Sequence, residues 1–109
     1  MRDNVILCGA NSYTQKFYID ERFDRLPDAI KDELKIMCVL FVEDVGGVLT
    51  LEFDPDGCLN LIVDNDPADY YFDEIGSVLK VKQIQQTKSE LLESLELYYR
   101  LVILEGAGA

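Results

Sequence analysis

An α+β fold is what this sequence predicts: an antiparallel sheet with its helices on one face, in the order ββ-α-ββ-α-α. Three observations carry it. Apolar residues recur at spacings of three and four from Leu26 to Val45, the mark of an amphipathic helix. Two apolar runs flank Asp54-Pro55-Asp56-Gly57-Cys58, which has the chemistry of a tight hairpin turn. Helical periodicity then returns from Tyr71 to Val102, with a change of phase on the way.

The elements follow in chain order. Val5 to Gly9 and Gln15 to Ile19 are short β-type runs, with Ala10-Asn11-Ser12 between them as a turn. Asp20 to Arg25 is charged and reads as a connection. Pro27 suits a helix's first turn, where its missing N–H is no loss, and Asp28 adds negative charge at the N-terminus. The stripe of this helix is Leu26, Ile30, Leu34, Met37, Cys38, Phe41, Val42 and Val45. From Ile36 onward the opposite side also turns apolar, through Val39 and Leu40. That half is therefore either central to the core or covered by a second subunit. Gly46-Gly47 supplies the C-cap.

The second hairpin has a register that can be worked out. Pro55 opens a type I turn and Gly57 takes the left-handed position of a three-residue loop with a bulge. Pairing Asp54 with Cys58 sets Phe53 opposite Leu59, Leu51 opposite Leu61 and Leu49 opposite Val63. All six then share one face, and Thr50, Glu52, Asn60 and Ile62 share the other. A slip of one residue would destroy that agreement.

Asp66 has the chemistry of a helix cap, with Pro67 next and a stripe of Tyr71, Ile75, Val78 and Leu79. Thr87-Lys88-Ser89-Glu90 matches a second capping signature. At about 100° per residue, the stripe of Leu91, Leu95, Tyr98 and Val102 points away from the one before it. A bend near Gln85-Gln86 would let both face one core; a single long helix bridging two subunits is the alternative. Residues 105–109 read as a frayed tail to a single domain spanning 1–109. The sequence leaves open whether the two hairpins join edge to edge.

Composition narrows the function. A chain of 109 residues with 49% apolar side chains has enough core for one domain. Its formal charge of −11 argues against binding a bare phosphate backbone, so no nucleic-acid partner is expected. No apolar stretch reaches membrane-spanning length, and Val5 to Gly9 is too short for a signal peptide's apolar core. Cys8, Cys38 and Cys58 are odd in number and widely spaced, which fits free thiols in a reducing cytoplasm.

The densest group of candidate chemistry is acidic: Asp54, Asp56, Asp64, Asp66, Asp69, Asp73 and Glu74. Neither Asp54 nor Asp64 starts a calcium loop, because glycine and the closing glutamate fall at the wrong positions. Turn and cap residues explain the group. No glycine-rich phosphate loop occurs. Without histidine, the cysteines lack the usual base for a nucleophile, and they make a poor zinc set. No catalytic residue, cofactor or metal ligand is therefore expected. Lys80, Lys82 and Lys88 read as solvated helix flanks. The pairs Tyr70-Tyr71 and Tyr98-Tyr99 are more suggestive, since neighbours on a helix point about 100° apart. If one ring of each pair joins the core, the other sits at the boundary, where tyrosines anchor interfaces. The candidate interface residues are Ile36, Val39, Leu40, Tyr70, Tyr98 and Tyr99.

The stretch from Leu26 to Arg100 resembles a family of small uncharacterised acidic proteins from clostridial Firmicutes. The segments that carry the resemblance are Leu26-Pro27, Ile36 to Phe41, Glu43 to Gly47, Asp73 to Gly76 and Leu95 to Arg100. It implies a bacterial cytosolic protein and brings no catalytic residue with it. Small acidic α+β dimers of the secretion-chaperone type are similar in kind, though they begin with a helix. The expectation is a non-enzymatic homodimeric module that binds protein or regulates it. The alternatives are an enzyme using the Asp54 to Glu74 carboxylates with a divalent metal, and an acidic client-binding chaperone.

Overall fold

The computed structural model describes residues 4–104; the tail expected at 105–109 lies outside them. The architecture is α+β, with strands β1 (Val5–Asn11), β2 (Lys16–Ile19), β3 (Val48–Phe53) and β4 (Leu59–Asp64) and helices α1 (Asp28–Val45), α2 (Glu74–Thr87) and α3 (Ser89–Tyr98). One antiparallel sheet of order β2-β1-β3-β4 holds both hairpins. They join edge to edge through β1 and β3, where Cys8 pairs with Leu51 and Ala10 with Leu49. A bulge at Leu7 lets Leu7 and Cys8 both be fully buried.

The second hairpin has the predicted register, with Leu49 on Val63, Leu51 on Leu61 and Phe53 on Leu59. Asp54 N–H donates to the Cys58 carbonyl at 2.9 Å, and Gly57 sits at φ 84° in the left-handed region. Leu49, Leu51 and Phe53 are buried completely, while Leu61 and Val63 are half-buried because β4 is an edge strand. The first hairpin turns later than predicted. β1 runs on to Asn11, and the turn is Ser12 to Gln15. Two forces move it: Ala10 and Asn11 pair with β3, and the Asn11 side chain accepts from the N–H groups of Tyr13 and Thr14.

α1 buries Leu34, Met37, Cys38, Phe41, Val42 and Val45 of the predicted stripe, with Leu26 buried just before the helix and Ile30 half-buried. Gly46 and Gly47 end it with φ of 82° and 74°. At Gly47 a side chain would also meet the Asp64 carbonyl and the Phe72 ring, so both the backbone angle and the space require glycine.

Three expectations need correction. Asp20 to Arg25 is more than a charged connection. Glu21–Phe23 forms a 3₁₀ turn capped by Asp20, and it delivers Phe23 to the centre of the core at 0% exposure. Next, α2 starts at Glu74 under an Asp73 cap, not at Pro67. Asp66 spends its carboxylate on the Ala68 N–H in a tight turn, and Asp73 N–H donates to the Val45 carbonyl, tying the loop to the end of α1. The expected stripe of Ile75, Val78 and Leu79 faces outward, and Tyr71 stands in the loop. The inward side of α2 is Ser77 with half-buried Val81 and Ile84. Third, the helix breaks at Lys88 and not at Gln85-Gln86. Thr87 caps nothing, because its hydroxyl donates back to the Gln83 carbonyl.

α3 buries Leu91, Leu92 and Leu95. A π-helical turn, Tyr99–Leu104, follows and brings Tyr99 inside at 3% exposure, whereas Val102 points outward. Phe53 and Tyr99 stack with ring centroids 4.1 Å apart and planes 2° from parallel, and Phe23 leans on both. The sheet's other face, with Thr50, Glu52, Asn60 and Ile62, carries no helix among the described residues.

Candidate interaction surface

α1 and α2 lie antiparallel, stitched at their flanks by Lys80–Asp44 at 2.7 Å and Lys88–Glu33 at 3.1 Å. These pairs are exposed and add little stability. Between the helices runs an open groove of about 520 Å³ whose lining includes Ile36, Met37, Leu40, Phe41 and Ile84. Met37 and Phe41 belong to the core, while Ile36 and Leu40 stand above it at 59% and 57% exposure. Leu79 is 62% exposed. It lies one turn from Gln83, which lines the groove, so it shares that outer side. This apolar surface has acidic and basic groups at its rim.

The six residues singled out from sequence separate in space. Ile36 and Leu40 come together on this groove. Val39 is half-buried on the other flank of α1, in a cleft of about 670 Å³ against the β1–β2 hairpin. Tyr70 is 93% exposed in the loop before α2. Tyr98 is half-buried with its ring 6.4 Å from that of Phe23, and Tyr99 is inside the core. Leu79, outside those six, belongs to the α2 stripe that the sequence predicts, facing either the core or a second subunit; it is 62% exposed. Its stripe was visible; that nothing within the described chain covers it was not.

The acidic residues divide among local tasks. Asp54 closes the β3–β4 turn, accepting from the N–H groups of Asp56 and Cys58 and from the Asn60 amide. Asp69 accepts the Tyr13 hydroxyl at 2.7 Å, and that oxygen in turn accepts the Asp66 N–H. Loss of hydration and the Asp69 bond push the Tyr13 hydroxyl's pKa up. Asp73 caps α2 through the Gly76 N–H. Among the described residues, no three of His, Cys, Asp or Glu gather closely enough to hold a metal ion. Cys8 and Cys38 are buried free thiols and Cys58 is an exposed one. The adjacent Cys38 thiol and burial both push the Cys8 pKa far up, away from a reactive thiolate.

Asp54 gives a pH prediction. The Cys58 N–H holds its carboxyl below the usual carboxylate range, with smaller help from the Asn60 amide and the N–H groups of Asp56 and Gly57. A lowered folded-state pKa contributes stability above the ordinary carboxylate pKa and loses it as pH falls through the lowered value. The urea midpoint should therefore fall on acidification, and Asp54→Asn should fall less steeply over that range. Parallel curves for the two proteins would contradict this role.

No helix among the described residues is long and apolar enough to cross a membrane. Comparison with known proteins places the chain: residues 4–107 match a family of unknown function, DUF6145, and the chain belongs to that family. No curated protein and no solved structure was found to match it.

Proposed function

We propose that this DUF6145 member is a non-enzymatic, homodimeric module that binds or regulates protein, and that it self-associates through the outer face of α1 and α2. One observation carries the reading: Ile36 and Leu40 stand more than half exposed on a groove with an apolar floor, and Leu79, one helical turn from the groove's Gln83, is more than half exposed as well. Fully burying a side chain of this size contributes roughly 1.5–3 kcal/mol. Two adjacent helices that offer such groups on one face form half of a four-helix layer, which a two-fold axis completes. The flanking ion pairs support this, because they neutralise Glu33 and Asp44 at the rim of a chain whose formal charge is −11. The free thiols and the resemblance to clostridial proteins support a bacterial cytosolic setting.

The reading is tested with Ile36→Asp and Leu40→Asp. Both positions are exposed on a helix, so each change should alter the monomer's own stability by only about 0.5 kcal/mol. Light scattering should show a wild-type mass of about twice 12.4 kDa and a drop toward the single chain in either variant. An unchanged dimer mass in both variants would move the interface elsewhere.

A further inference from the structure

A second surface stands apart from the groove's lining. Tyr70 and Tyr71 are 93% and 96% exposed, an unusual position for two adjacent large rings. Floppiness is not the reason. The loop between β4 and α2 is held from several sides: Asp66 N–H donates to the Tyr13 hydroxyl, and that hydroxyl donates to Asp69. Tyr71 N–H donates to the other Asp69 oxygen, and Asp73 N–H donates to the Val45 carbonyl. Phe72 turns inward and lies against Gly47. One aromatic of the three anchors the loop, and the other two are presented outward. Ile75, in the first turn of α2, is 75% exposed.

The electrostatic setting specifies the partner. No lysine or arginine occurs between Lys35 and Lys80, and Asp66, Asp69, Asp73 and Glu74 surround the two rings in sequence. A surface of aromatic faces among carboxylates suits guanidinium groups, which stack on tyrosine while pairing with acid. A loop already held in place loses little freedom on binding. We propose that Tyr70 and Tyr71 form a docking surface for an arginine-rich protein segment.

The probes are two labelled peptides, nona-arginine and nona-lysine, titrated against the full chain by fluorescence anisotropy and by amide NMR. The control is the double variant Tyr70→Ala/Tyr71→Ala, which leaves the net charge untouched. Wild type should bind nona-arginine more tightly than nona-lysine, with shift changes concentrated at residues 66–75. The double variant should lose roughly 5- to 30-fold in nona-arginine affinity, from two exposed cation–π contacts. Equal affinity in variant and wild type, or shifts spread over acidic groups elsewhere, would reduce the effect to general charge attraction and overturn the proposal. So would a fall in the variant's oligomeric mass, which would assign the rings to contact with a second copy. A wild-type monomer would contradict the self-association reading alone and leave this test standing.

Discussion

Leu51→Ala is expected to cost roughly 2–5 kcal/mol, the range for a large aliphatic side chain removed from a core that collapses only in part. Leu51 is fully buried on β3, an inner strand of the sheet. It pairs with Cys8 on one side and Leu61 on the other. Its loss therefore weakens both hairpins at the seam that makes them one sheet. Thr50→Ala, the next residue and on the opposite face, should cost well under about 1 kcal/mol. Equilibrium urea unfolding of both variants measures the contrast. Equal losses would mean that the outer face of the sheet is covered too.

Phe23→Ala should be as damaging, at roughly 3–5 kcal/mol. Phe23 is completely buried, 5.7 Å from the Phe53 ring and 6.5 Å from the Tyr99 ring. It thereby packs the 3₁₀ turn against β3 and the C-terminal π-helical turn. Since a domain's whole stability is about 5–15 kcal/mol, this variant should unfold at far lower urea. Glu21→Ala, in the same turn but exposed, should stay within about 0.5 kcal/mol of wild type. If Phe23→Ala behaved like Glu21→Ala, the aromatic cluster would not tie the 3₁₀ turn to β3 and the π-helical turn.

What was legible in the sequence was local. The α1 stripe repeats for five turns, and Pro55 with Gly57 specifies a turn whose register then satisfies six apolar residues at once. The union of the hairpins had no such sign, because pairing Cys8 with Leu51 is a long-range choice without its own motif. Phe23 was hidden by its neighbours: one apolar residue among Glu21, Arg22, Asp24 and Arg25 has no period to detect. Asp66 and Asp73 offer much the same capping chemistry in sequence; the fold separates them, turning the Asp66 carboxylate to the Ala68 N–H and tying Asp73 N–H to the Val45 carbonyl while its carboxylate caps α2. For the surface, the apolar side at Ile36 and Leu40 was readable. The period of α2 revealed a stripe at Ile75 and Leu79 but not which way it faces. An amphipathic pattern says that a face wants cover, and it is silent on whether the same chain supplies it.

That distinction makes oligomeric mass the most direct test of the account. Sedimentation equilibrium of the wild-type chain, from low to high micromolar concentration, should give about twice 12.4 kDa and dissociate on dilution, with Leu40→Asp shifted toward monomer throughout. A wild-type mass of one chain across the whole range would contradict self-association through α1 and α2.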